Sequence, residues 1–295
     1  MHRYLCAGLL IAAALHAAGC GPTMRALPGP PAKLDWDPNV GALPSRPRQA
    51  TPEMDAAGQF LTGEVALNEG NYDVALRAFR AAVQSDPKSP LLQLRLAMLL
   101  VRKGALTEAL DHCQQVVAIQ PDNTEARLLL AGILSALNRQ DEAAAQYQRV
   151  LELEPDNQEA YLYLGALYGK QGQFDKAVAT LNKLIELNPQ SVLGYYYLGR
   201  VNTAAGRYEK GEHYFREALK RNPQSELILM DLATLFELQK QYGHAIEIYQ
   251  QILSANPNSA LVRKRLGGLY IGQKKLDEAL LQYHALEKIE PDPEE

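Results

Sequence analysis

Seven prolines in this chain stand 34 residues apart: Pro87, Pro121, Pro155, Pro189, Pro223, Pro257 and Pro291. A fixed period of this length marks stacked copies of one supersecondary unit and overrides a search for a single globular fold. Other columns keep the same register. Twelve residues before each proline stands a small residue: Ala75, Ala109, Ala143, Ala177, Gly211, Ala245 and Ala279. Eight before it stands an apolar, mostly aromatic one: Phe79, Cys113, Tyr147, Leu181, Phe215, Tyr249 and Tyr283. Twenty-five before it, six of the seven copies carry leucine: Leu96, Leu130, Leu164, Leu198, Leu232 and Leu266, with Thr62 in the first copy.

Each copy reads as two helices. In the fourth, Glu159 to Lys170 places Leu162, Leu164, Leu167 and Tyr168 at near-helical spacing. Gly172 follows as a left-handed helix end. Its equivalents Gly70, Gly104, Asn138 and Gly206 all tolerate positive φ, whereas Lys240 and Lys274 depart from the pattern. A second helix over Asp175–Leu187 ends before Pro189, because the residue preceding a proline is pushed out of the helical region. The next helix is expected to start at or just after the proline. The small column lets two helices approach, the aromatic column fills the gap to the neighbour, and each buried apolar side chain contributes roughly 1.5–3 kcal/mol. Four residues after the aromatic column comes an expected core position: Val83, Val117, Leu151, Ile185, Leu219 and Leu253. The seventh copy has Glu287 there, which reads as a solvated cap and as the natural end of the array.

These columns resemble the tetratricopeptide repeat (TPR), whose period is 34. The resemblance covers Ala56 to Pro293, 238 of 295 residues, as repeats 56–89, 90–123, 124–157, 158–191, 192–225, 226–259 and 260–293, with 294–295 as a tail. It implies an all-α fold, a right-handed α-solenoid superhelix of seven TPR helix pairs, whose concave face is lined by first helices and binds peptides or protein segments. Many TPR arrays add a capping helix. Only Glu294 and Glu295 remain here, so apolar surface is expected to persist at that end.

The resemblance also places an inward column: Phe60, Leu94, Leu128, Leu162, Tyr196, Met230 and Lys264. A turn later come Glu64, Met98, Gly132, Ala166, Arg200, Thr234 and Gly268. The expected peptide-binding groove is drawn from these: Phe60, Leu94, Met98, Leu128, Leu162, Tyr196, Arg200, Met230 and Lys264. Two readings stand side by side, an apolar groove for a helix or extended segment and simple packing between adjacent first helices. Of Tyr195, Tyr196 and Tyr197, Tyr196 is the one assigned to the groove. Arg200 is expected to pair with Glu159 or Glu237, or to hold an acidic ligand group. The Lys/Asn clamp by which some TPR proteins hold a C-terminal carboxylate is matched by Lys264 alone.

The N-terminus reads as an address. Arg3 precedes an apolar run from Leu5 to Leu15, too short for the roughly 20 residues that span a bilayer but suited to a secretory signal over 1–19. The run ends in Ala17-Ala18-Gly19-Cys20, which resembles the lipobox of bacterial lipoproteins and implies lipidation of Cys20. An ordinary signal with Cys20 incidental is the other reading. By the same resemblance, Gly21 after the cysteine implies an outer membrane lipoprotein facing the periplasm. Residues 20–55 then form a lipidated, proline-rich linker with eight prolines between Pro22 and Pro52, semi-extended because proline removes donors and blocks helices. Trp36 within it is either a docking anchor or a solvated aromatic.

No catalytic constellation is found. His112, His213, His244 and His284 fall in second helices of different repeats, with no i, i+4 His or Cys partner, so no metal site is expected. Gly165 to Lys170 mimics a phosphate loop but is one residue short and lies within a helix. Cys113 takes an aromatic-column position and reads as buried and inert. Asp141-Glu142 and Asp277-Glu278 open second helices, where they suit the helix dipole. A net charge of −4 argues against nucleic acid. The expected function is a protein-binding scaffold of an envelope machine, such as type IV pilus/secretin or peptidoglycan machinery, with no cofactor, no small-molecule substrate and no enzyme activity. A self-assembling structural protein is the alternative, and an enzyme-associated adaptor ranks last.

Overall fold

The computed structural model describes residues 51–289. The expected leader, Cys20, the linker up to residue 50 with Trp36, and Pro291 and Pro293 lie outside the described residues. Those residues form fourteen helices and no strand. In chain order they are α1 (Pro52–Asn68), α2 (Tyr72–Ser85), α3 (Pro90–Arg102), α4 (Leu106–Ile119), α5 (Thr124–Ala136), α6 (Gln140–Leu153), α7 (Gln158–Lys170), α8 (Phe174–Leu187), α9 (Val192–Ala204), α10 (Tyr208–Arg221), α11 (Glu226–Leu238), α12 (Tyr242–Ala255), α13 (Ala260–Gly272) and α14 (Leu276–Ile289). The chain divides into two compact units between Gln146 and Tyr147, inside α6. In the first unit α1 pairs with α2 and α3 with α4; in the second, α7 pairs with α8, α9 with α10, α11 with α12 and α13 with α14. Among the described residues no helix is long and apolar enough to cross a membrane.

The periodic columns explain this packing. All seven members of the small column are buried, and the six leucines of the first-helix column are buried with them. The aromatic column is buried from Phe79 to Tyr249, and Tyr283 alone is exposed. A further column was not singled out in the sequence. One residue after the leucine column every copy carries glycine or alanine: Gly63, Ala97, Ala131, Gly165, Gly199, Ala233 and Gly267, all buried. These residues receive the aromatic-column side chains. A Cβ on Gly199 would stand 2.6 Å from the Phe215 ring, and one on Gly165 2.5 Å from Leu181. The close approach, not backbone freedom, demands glycine there.

The linkers correct one expectation. First helices start three residues after the proline, not at it: Val192 follows Pro189, and Glu226 follows Pro223. The proline ends the preceding helix and occupies a turn, and a Ser or Asn two residues later takes the N-cap position. Asn123, Asn157 and Ser191 accept hydrogen bonds from Ala126 N, Ala160 N and Gly194 N at 2.9, 2.9 and 3.1 Å. Ser89, Ser225 and Ser259 hold the position without a side-chain cap bond. Pro52 and Pro90 open α1 and α3, where a missing N–H costs nothing.

Two further positions differ from the sequence reading. Lys240 and Lys274 adopt φ of 59° and 59°, beside +75° at Gly172, so the left-handed turn survives without glycine. The expected core column Val83 to Leu253 is half-buried; the position just before it, Ala82, Val116, Val150, Leu184, Ala218 and Ile252, is the buried one. Helix tilt against the following hairpin decides between two adjacent apolar positions, and spacing alone does not supply it. Glu287 is exposed, as expected of a cap.

Candidate functional site

The first helices of each unit carry the expected groove column, and the structure sorts its members. In the first unit Phe60 is half-buried with its ring 5.9 Å from Phe79, Leu94 is buried, and Met98 and Leu128 are half-buried. Nothing lies within 4 Å of where a Gly132 Cβ would stand, so α5 leaves open space beside Leu128. Arg95 of α3 reaches Glu64 of α1 at 3.5 Å.

In the second unit Leu162 and Tyr196 are buried, Met230 is half-buried, and Arg200 and Lys264 are exposed. Leu94, Leu162 and Tyr196 are thus largely closed to solvent. Tyr196 shows the reason: its ring packs against Phe215 at 6.1 Å, while its hydroxyl donates to Asp231 Oδ2 at 2.9 Å. Of the other two tyrosines, Tyr195 and Tyr197 are half-buried, and the Arg221 guanidinium sits 4.0 Å from the Tyr195 ring centre.

Arg200 pairs with an acid that the sequence reading did not name. Its Nε lies 3.5 Å from Asp231 Oδ2, one residue beyond Met230, and its guanidinium stacks over Tyr196 and Tyr197 at 5.7 and 5.8 Å. Glu237 instead accepts from the Tyr249 hydroxyl and from Arg265 Nη1, the latter at 3.4 Å. Burial, then the nearby Asp231 carboxylate, pushes the Tyr196 phenol above its ordinary range. Burial alone raises the Glu159 carboxyl. Two ion pairs thus bridge adjacent first helices across this face. Both are partly exposed, so each adds at most about 1 kcal/mol.

What the face presents outward is a column that sequence reasoning missed. Three residues before the expected one stand Leu91 in the first unit and Leu193, Leu227 and Leu261 in the second, 43–56% exposed. Spacing of i, i+3 keeps each leucine on the same helix face as Tyr196, Met230 or Lys264. The signal was available: leucine at one repeat position in four copies, with Ala57, Glu125 and Glu159 in the others. An apolar row beside a charged row can hold an amphipathic segment, its apolar side on the leucines and its polar side on Arg200, Asp231, Glu237 and Arg265.

The remaining candidates place as follows. His112 lies on α4, half-buried, its Nδ1 hydrogen-bonded to Gln93; His213, His244 and His284 lie on α10, α12 and α14 and are exposed. No cluster of three metal-ligating side chains exists among the described residues. Cys113 is fully buried, and burial pushes its thiol up to about 12. Gly165 to Lys170 is helical within α7.

Comparison with known proteins places this arrangement. No curated protein matches the chain. Among solved structures, a tetratricopeptide repeat protein from Parabacteroides merdae shares 20% identity over 81% of this chain and 95% of its own, with a TM-score of 0.68. PilW, described as a widely conserved type IV pilus biogenesis factor, shares 23% identity over 72% of this chain and 98% of its own, with a TM-score of 0.64. The C-terminal part of a TPR protein from Cytophaga hutchinsonii shares 16% over 80% and 97%, with a TM-score of 0.61. At these identities the likeness is one of fold. Sequence profiles described as tetratricopeptide repeat match residues 60–124 and 196–260 in one form, and 100–152, 140–197 and 238–295 in another. With its helix hairpins recurring every 34 residues, and these profiles together matching everything from residue 60 onward, the chain belongs to the tetratricopeptide repeat family.

Proposed function

We propose that this protein is a binding scaffold that docks an apolar, amphipathic segment of a partner protein on the first-helix face of its second unit. The exposed leucines Leu193, Leu227 and Leu261 carry the reading. Three large apolar side chains repeated in solvent at one register are a contiguous feature, unlike scattered surface leucines. The flanking charges Arg200, Asp231, Glu237 and Arg265 would orient the segment more than tighten it. The protein acts by binding and not by catalysis.

The setting we propose is the bacterial envelope: a lipid on Cys20 anchors the chain to the outer membrane, the proline-rich linker holds the repeats away from it, and they face the periplasm. The sequence of residues 1–52 supports this. The fold it shares with PilW, a pilus biogenesis factor, makes an assembly role in type IV pilus, secretin or peptidoglycan machinery the natural setting.

Cross-linking on intact membranes tests the docking face. Leu227→Glu and Leu261→Glu are expected to lose the partner recovered by wild type, while Leu187→Glu, an equally exposed leucine on α8, retains it. Retention by all three overturns the face. For the anchor, palmitate label is expected on wild type and absent from Cys20→Ser; label surviving that substitution overturns lipidation.

A further inference from the structure

Contacts at three internal joints between hairpins define the pattern. The aromatic column meets a position on the next first helix: Tyr147 and Tyr163 rings lie 6.0 Å apart. The small column meets a position four residues further along: a Cβ on Gly211 would stand 3.0 Å from Leu235. The half-buried column meets a position near the start of that helix: a Cβ on Gly194 would stand 3.0 Å from Ile185.

Among the described residues, α1 and α14 each leave their half of this joint open. On α1, Val65 at the position that meets the small column is 56% exposed, and Leu61, the counterpart of Tyr163, is 63% exposed. In the other copies the Val65 position holds Leu99, Ile133, Leu167, Val201 and Leu235, all at most 4% exposed, and Leu269, which is half-buried. On α14, Leu280 is 55% exposed, and Tyr283 is 39% exposed where the same column elsewhere is at most 3%. The cap residue fits too. Glu287 stands at the position that meets the start of the next first helix, and the matching residue of α1 is Gly58, with nothing within 4 Å of its Cβ position. A carboxylate over glycine buries no apolar side chain.

We propose that a second copy of this chain covers these faces: α1 of one copy packs on α14 of another in the register of an eighth repeat. Leu61 lies against Tyr283, Val65 over Ala279 and next to Leu280, and Gly58 under Glu287. The occupant is a second copy because the two apolar strips are the two halves of one hairpin joint, and the fold already uses that joint five times within its units. The contact is heterologous, so each dimer keeps one open face of each kind and association can extend beyond two.

Analytical ultracentrifugation of the full chain in a non-ionic detergent tests this across the micromolar range. Wild type is expected to rise above the 32.6 kDa of one chain as concentration increases. Leu61→Lys and Leu280→Glu, both at exposed positions and checked for unchanged helicity, are each expected to weaken association at least tenfold, roughly 1.4 kcal/mol. Mixing the two variants is expected to restore dimers, since the unaltered α1 of the Leu280→Glu copy then meets the unaltered α14 of the Leu61→Lys copy. A wild type that stays monomeric, or association that both variants leave unchanged, overturns the proposal. If wild type is monomeric, a photoreactive residue at position 61 identifies what else covers the face: an intramolecular adduct assigns it to residues 1–50, and an adduct with another protein assigns it to a separate partner.

Discussion

Lys240 and Lys274 show what a single backbone conformation costs. A left-handed residue with a Cβ carries roughly 1–2 kcal/mol of strain, and glycine removes it at the expense of unfolded-state entropy near 0.5–1 kcal/mol. Lys240→Gly and Lys274→Gly are therefore each expected to stabilise the fold by about 0.5–1 kcal/mol, read from urea midpoints. At Gly199 the sign reverses: Phe215 occupies the space of a Cβ, and Gly199→Ala is expected to cost about 1–3 kcal/mol. His112 adds a pH dependence. Burial depresses its proton affinity in the folded state more than nearby Glu108 and Asp111 raise it. The unfolded chain then takes up the proton first as pH falls. Stability is full above the ordinary histidine range and declines as pH falls through it. Between about pH 7.5 and 5.5, wild type is expected to lose more stability than His112→Gln.

At the level of the helix, the prolines gave the period but not the start. Their role is to stop one helix and form the turn; the Ser or Asn two residues later begins the next. That cap was legible in the sequence as a column of side chains able to accept a backbone N–H, yet only some members use it. Asn157→Ala is accordingly expected to cost about 1 kcal/mol, whereas Ser225→Ala, with no cap bond to lose, is expected to cost a few tenths. Thermal melts of the two variants side by side distinguish them. Helix packing was legible wherever a column tolerates one residue size: the alanines at 75, 109, 143, 177, 245 and 279 had to be interior. It was not legible where two adjacent apolar positions compete, as at Val116 and Val117, because rotation of a helix by a fraction of a turn chooses between them.

For the molecule as a whole, seven copies of one register make the fold readable from composition at a few positions, and they make the candidate site harder to read. The same repetition that identifies interior columns assigns every apolar column to the interior by default. Tyr196 and Leu162 were assigned to the groove by the resemblance; in the structure both are buried, and Leu193, Leu227 and Leu261 stand exposed. Exposure separates the two sets, and exposure belongs to the assembled hairpins. The most direct test of the account is a photoreactive residue placed at Leu227 on intact membranes, with the same group at Leu187 as control. The account predicts a discrete protein adduct at position 227 and none at 187. Equal adducts at both positions, or none at 227, would contradict it.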